Sequence, residues 1–259
     1  MKLLSLNVWG ATQGQVLLDY VKAESKTVDI FCFQEVFSAL PGAPQISSGA
    51  KMFLFEELAE LLPDFTSFFS ARSLGADFNG LVDYPVSQGL GLFVKKHLQI
   101  VTCNDRVLQT NDIATMEDPG EGWTKAQVVT LSSGAKKFSV INFHGMAQPG
   151  TKLDTPQRLN QSKRLLLILE SLKGAKILCG DFNLMPEAAS ISMLEGGMDN
   201  LIKTYNIKNT RNEVSWGMHS NKQHYADFTF TSPEIKVKSF EVPYNEVSDH
   251  LPMLLDFSL

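Results

Sequence analysis

Several short apolar runs in this chain end on a carboxylate, an amide or an imidazole. Asn7 closes Leu3-Leu4-Ser5-Leu6, and Gln34-Glu35 closes Ile30-Phe31-Cys32-Phe33. His144 follows Val140-Ile141-Asn142-Phe143, and Asp181-Phe182-Asn183 follows Ile177-Leu178-Cys179-Gly180. Asp227 opens Phe228-Thr229-Phe230, and Ser248-Asp249-His250 precedes Leu251-Pro252-Met253. If these ends converge, one cleft holds Glu35, Asp181, Asp227 and Asp249 beside Asn7, Asn183, His144 and His250. Carboxylates crowded together need a cation or raised pKa values. Hard oxygen ligands select Mg²⁺, Mn²⁺ or Ca²⁺ over soft metals. The histidines add acid/base and electrophilic groups. Such a set suits metal-assisted hydrolysis of a phosphate ester.

The elements that must position these groups are short strands between helices. Leu3–Val8 and Asp29–Gln34 read as buried strands, with an amphipathic helix near Gln15–Lys26 between them. Residues 38–50 are rich in Pro, Gly and Ser and read as a surface loop before a helix near Lys51–Leu61. Gly89–Lys95, Lys125–Leu131 and Lys137–Phe143 read as strands, the last two forming a hairpin around Ser132-Ser133-Gly134. Residues 104–123 read as an exposed excursion. A helix follows, capped by Thr155 or Asp154, with Pro156 in its first turn and Gly174 as its stop. Its expected buried face is Leu159, Leu165, Leu166, Leu169 and Leu172. Strands follow at Ala175–Cys179, Phe228–Thr231, Ile235–Val242 and Met253–Phe257, and residues 206–225 read as irregular. No linker, repeat or low-complexity tract divides the chain. One mixed α/β domain over residues 1–259 is expected, with several strands buried on both faces.

Composition narrows the function classes. The chain has 259 residues, 23 Lys and Arg against 28 Asp and Glu, and a net charge of −5. That acidity argues against holding duplex DNA mainly by charge. No apolar run approaches the roughly 20 residues of a membrane span, and Met1–Gly10 reads as a first strand and not a leader. Cys32, Cys103 and Cys179 are too scattered for a disulfide framework or a zinc site, so a reducing cytoplasmic setting is expected.

At these residues the chain resembles the endonuclease/exonuclease/phosphatase superfamily of DNase-I-like metal-dependent phosphoesterases. Seven motifs carry the resemblance in order: Leu6-Asn7-Val8-Trp9-Gly10, Phe33-Gln34-Glu35-Val36, Gly89-Leu90-Gly91-Leu92, Asn142-Phe143-His144, Gly180-Asp181-Phe182-Asn183, Asp227-Phe228-Thr229-Phe230 and Ser248-Asp249-His250. The resemblance implies a four-layered α/β sandwich with two central mixed β-sheets flanked by helices. It implies Glu35 as principal metal ligand with Asn7 beside it and Asp249 near. It implies Asp181 and Asn183 for water and scissile phosphate, His250 as base or phosphate contact oriented by Asp227, and His144 at the phosphate or leaving group. The implied cofactor is Mg²⁺ or Mn²⁺. Trp9 stands where many members carry an acid, and Tyr225-Ala226 where an Arg is common. The form around Trp9 looks more like the sphingomyelinase-type branches.

Other readings compete residue by residue. Asp and Asn favour turns after strands, and His250 could be a satisfied core histidine. Arg211 and Trp216 are weak substrate-binding candidates against a surface-loop reading. Trp9 reads as core, His219 and His224 as exposed, Lys95-Lys96-His97 as a solvated turn, and Arg158 and Arg164 as structural ion-pair partners. The leading expectation is a phosphodiesterase acting on a nucleic acid or nucleotide. The alternative is an esterase for a small phosphate ester or phospholipid headgroup, and the non-enzyme reading is a binding module that has lost turnover. The sequence leaves oligomeric state open.

Overall fold

The computed structural model of the protein describes residues 1–110, 123–217 and 222–259. In chain order, a first sheet takes β1 (Lys2–Asn7), β2 (Ile30–Ala39), β3 (Phe65–Leu74) and β4 (Val86–Lys95). A second takes β5 (Gln99–Thr110), β6 (Trp123–Ser133), β7 (Lys136–His144), β8 (Ala175–Asp181), β9 (Asp199–Asn200) and β10 (Asp227–Thr231). The chain then returns to the first sheet with β11 (Lys236–Glu241) and β12 (Met253–Ser258). The strand orders are β11-β12-β1-β2-β4-β3 and β9-β10-β8-β7-β6-β5. Each sheet has one parallel pair, β1–β2 and β7–β8, and is otherwise antiparallel. A parallel pair needs a crossover, and helices α1 (Gln15–Glu24), α2 (Leu54–Leu61) and α3 (Pro156–Ser171) include the two that supply it, α1 and α3.

Side-chain alternation sends each strand's residues to two different layers. Along β1, Leu4 and Leu6 pack outward with Leu17, Leu18 and Val21 of α1 and Leu54 and Leu58 of α2. Leu3 packs inward with the second sheet. A fully buried Leu contributes about 2 kcal/mol, so these positions fix the face of the strand. The same parity carries Asn7 inward. On β2, Ile30 and Cys32 face inward while Phe31 and Phe33 face the helices. On the far side, Leu165 and Leu169 of α3 and Ile191 and Leu194 join the core that spans both sheets. The helices thus lie outside two central mixed sheets.

Some elements differ from the sequence reading. β2 runs on to Ala39, and β3 occupies a stretch with no strand assigned from sequence. Residues 104–110 extend β5, pairing with β6 through Trp123↔Thr110 and Ala126↔Arg106; residues 111–122 of the expected excursion lie outside the described residues, and Trp123 opens β6. The buried face of α3 is polar at its start. Arg158 and Gln161 are buried with Leu165 and Leu169, while Leu159 and Leu166 are only half-buried. Arg158 donates to the main-chain oxygens of Met146, Ala147, Pro149 and Leu153, so the partners seen for it are carbonyls of the preceding loop. Thr155 is the cap of α3, accepting from Arg158 N at 3.2 Å. Asp154 instead accepts from Ala189 N and Ser190 N at the next short helix.

Candidate active site

The inward parity of four strands, β1, β7, β8 and β10, brings the polar residues at their ends to one edge of the gap between the sheets. His144, Asp181 and Asp227 are lateral neighbours, through the registers His144↔Asp181 and Asp181↔Asp227. Asn7 reaches them from the first sheet. Its Nδ2 donates to Glu35 Oε1 and Asp181 Oδ2, both at 3.0 Å, and its Oδ1 accepts from Trp9 N at 3.0 Å. Below this edge, Gln34 Nε2 donates to Asn142 Oδ1 at 2.7 Å and ties the sheets together.

Glu35 reaches the site by a break in alternation. Phe33 pairs with Gly91 but Val36 with Gly89, so one extra residue sits in β2. Such a β-bulge re-aims a side chain. Val36 keeps the outward, helix-facing parity, and Glu35, at φ 55°, is thrown to the inner edge. Gly180 makes room for Asp181. A Cβ there would fall 1.9 Å from Phe143 O, and its φ is 138°, which side-chain-bearing residues rarely adopt.

The electrostatics divide the site. Burial pushes the Glu35 carboxyl up to about 7, and the Asp249 and Asp181 charges add to this against the Asn7 hydrogen bond. Asp181 is also buried, but His250, Lys152 and the Asn7 amide outweigh that and hold it well below the carboxylate range. His250 Nδ1 lies 3.0 and 2.8 Å from the two oxygens of Asp227. Burial lowers the His250 pKa, yet Asp227, Asp249 and Asp181 together push it up to about 9. Its Nε2 faces Asp181 Oδ2 at 3.8 Å and Asp249 Oδ1 at 3.9 Å. Two groups of potential ligand atoms lie close together, Glu35–His144–Asp181 and Asp181–Asp227–His250.

All the strand-end residues named from sequence therefore meet. Asn183, at φ 53°, donates its N–H to Asp181 Oδ1 at 2.8 Å. Asp249 meets Arg211 Nη2 at 2.7 Å, and burial of Asp249 is outweighed by His250 and Arg211, which keep it ionised. Arg211 is itself buried and also reaches Ser215 Oγ at 3.3 Å, so its guanidinium is committed inside the site wall. Trp216 is half-buried and meets His224 edge-on, with ring centroids 5.0 Å apart. Trp9 is core and His224 exposed, as expected, while His219 lies outside the described residues.

Two site residues escaped the sequence reading. Lys152 is buried and donates through Nζ to Asn183 Oδ1; burial lowers its pKa. It sits in an irregular loop with no motif. Arg72 Nη1 lies 2.6 Å from His144 Nδ1. Its strand, Phe-Thr-Ser-Phe-Phe-Ser-Ala-Arg, is rich in β-formers, the one signal that could have placed it.

The sequence matches the Endonuclease/Exonuclease/phosphatase family over residues 4–250. No curated protein matches it in sequence. Similar solved structures include an endonuclease/exonuclease/phosphatase family protein from Leptotrichia buccalis, 18% identical with TM-score 0.72 and both chains covered at 100%. The human Nocturnin catalytic domain with bound sulfate is 19% identical, TM-score 0.70, covering 100% of this chain and 93% of that one. The mannosyl-6-phosphatase of Bacteroides thetaiotaomicron is 17% identical, TM-score 0.69, with both chains covered at 100%. At these identities the likeness is one of fold.

Proposed function

The chain belongs to the endonuclease/exonuclease/phosphatase family, and from that premise we propose that it is a divalent-metal-dependent phosphoesterase. The observation that carries this reading is the meeting of Asn7, Glu35, His144, Asp181, Asn183, Asp227, Asp249 and His250 at one inter-sheet edge. The residues fit a hard cation. The donors are oxygens, and Glu35 is a carboxyl that burial and two acidic neighbours leave poorly compensated. Glu35 and Asp181 would hold Mg²⁺ or Mn²⁺, with Asn7 and Asp249 beside them, and the ion would stabilise negative charge on the phosphate and leaving oxygen.

The chain's own groups do the rest. Asp227 fixes the His250 ring through Nδ1 and directs Nε2 at the centre, where the protonated ring donates to water or a phosphate oxygen and the neutral ring takes a proton from water. Asn183 and His144 face the same centre as hydrogen-bond groups for the phosphate oxygens. In-line attack then displaces the leaving oxygen.

The rim favours a small phosphate ester over a nucleic acid. Among the described residues, the loops at these strand ends carry Lys152 and Arg211 buried in the site, with Lys208 and Lys222 exposed. Against them stand Asp83, Glu187, Glu213 and Glu246, all exposed. A polyanionic backbone needs several exposed cations. A lipid headgroup is a second reading, because Leu40, Ile46, Leu74 and Leu81 expose apolar surface around two small hairpins beside the Glu35 strand. Three free cysteines support a cytoplasmic setting. Among the described residues no helix is long and apolar enough to cross a membrane.

The test is hydrolysis of a panel with Mg²⁺, Mn²⁺ or EDTA: sugar and inositol phosphates, sphingomyelin micelles, single-stranded DNA, RNA and abasic duplex. Turnover of small or lipid esters, lost in EDTA and in Glu35→Gln and His250→Ala, is expected. Full activity in EDTA or in both variants would refute it.

A further inference from the structure

Arg72 is placed by a second break in strand alternation. Ala71 of β3 pairs with Gly89 but Ser73 with Gln88, so Arg72 is the extra residue of a bulge. This bulge lies across Gly89 of β4 from the one that re-aims Glu35. A Cβ at Gly89 would fall 2.0 Å from Ser70 O. The bulge carries the guanidinium, 6% exposed, to within 2.6 Å of His144 Nδ1.

A guanidinium has donors and no acceptor. His144 Nδ1 must therefore present its lone pair to Arg72. In a neutral imidazole that leaves the proton on Nε2. This Nε2 is buried and has no hydrogen-bond partner among the described residues. Asp181 Oδ2 lies 3.6 Å away and Glu35 Oε1 3.8 Å, both beyond a real hydrogen bond, and both oxygens already accept from Asn7. The site thus contains a donor aimed at its centre with no acceptor. A phosphate oxygen supplies one.

We propose that Arg72 is a positioning residue that holds His144 as the Nε2–H tautomer, so that His144 donates to a phosphate oxygen and does not ligate the cation. The inference deepens the proposed phosphoesterase reading and rests on it. It separates His144 from the Glu35–His144–Asp181 group that distance alone would offer to a metal. Ligation through Nε2 would put the proton on Nδ1, facing an N–H of Arg72.

The test uses the full chain labelled with ¹⁵N, and two-bond ¹H–¹⁵N spectra of its imidazoles, with His144→Gln to assign the signal. Expected in the wild type is a protonated Nε2 and a bare Nδ1, unchanged by Mg²⁺. Inorganic phosphate should shift the Nε2–H signal. Arg72→Lys should keep the tautomer. Arg72→Met should move the proton partly to Nδ1 and lower kcat roughly 10- to 100-fold, as loss of an orienting partner does, with a smaller change in KM. A wild-type Nδ1–H, loss of the Nε2 proton on adding Mg²⁺, or a signal unmoved by phosphate overturns the proposal. So does an Arg72→Met enzyme with wild-type kcat. If Arg72→Met does not fold, the wild-type and Arg72→Lys spectra decide. If no ester on the panel is hydrolysed, the phosphoesterase reading falls, while the tautomer and the phosphate shift still judge Arg72.

Discussion

Replacing Glu35 by Gln is expected to make the cation-free protein more stable. Burial first, then the charges of Asp249 and Asp181, raise this carboxyl from 4.5 to about 7. A group whose folded pKa lies above its unfolded value favours folding only while protonated. Its penalty begins as pH rises past the unfolded value and is complete above the folded one. The gap between 4.5 and about 7 corresponds to about 3 kcal/mol at pH 8 or so. Gln keeps the side-chain length and the oxygen that accepts from Asn7 Nδ2, and removes the charge. For a chain of this size that is a rise in Tm of roughly 6–12 °C. The assay is urea unfolding of EDTA-treated wild type and Glu35→Gln across acid to alkaline pH. The two curves should meet near about pH 4 and part progressively to about pH 8. Saturating Mn²⁺ should then stabilise the wild type and leave Glu35→Gln nearly unmoved, because a ligand stabilises only the state that binds it. A variant less stable than wild type at the alkaline end, or equal stabilisation of both by Mn²⁺, would refute the reasoning.

Three further outcomes are expected. His250 is raised from 6.5 to about 9, so its stabilising contribution is full below 6.5 and lost as pH rises through 9; Asp227→Asn should flatten that part of the stability curve and lower kcat by about 100-fold or more, read by denaturation and initial rates. Lys152→Met removes the donor that holds Asn183 Oδ1 and should lower kcat roughly 10- to 100-fold with Lys152→Arg less affected, measured at saturating substrate. Arg158→Leu strips the donor from four main-chain oxygens and should cost about 3 kcal/mol or more, with faster amide exchange over residues 146–153.

The strand-end groups were legible because buried strands advertise themselves as apolar runs, and a polar residue closing one stands out. Asn7, His144, Asp181 and Asp227 needed only period-two parity to meet. Glu35 was legible by its neighbours, yet parity alone would have sent it to the helix-facing side with Phe31 and Phe33. Its bulge depends on pairing with β4, and no local pattern announces that. Arg72 was hidden for the same reason twice over, on an unassigned strand and at a bulge within it. Lys152 could not be found because loop geometry, held by Arg158, places it. The expected leucine face of α3 failed in part because Arg158 and Gln161 have buried carbonyl and hydroxyl partners that a hydrophobic period cannot see.

The insertion of β12 between β11 and β1 bears on when in folding the site exists. Ser248 Oγ donates to Asn7 O across 241 positions of sequence, and β1 finds its antiparallel neighbour only in β12. Closing so long a loop is slow. A polypeptide leaving the ribosome can assemble β1–α1–β2 and later β7–α3–β8, with Glu35, His144 and Asp181 in hand. It still lacks His250, the last of the site's groups to emerge. On the proposed role of His250, water activation waits for β12, and partly made chains should be inert toward phosphate esters.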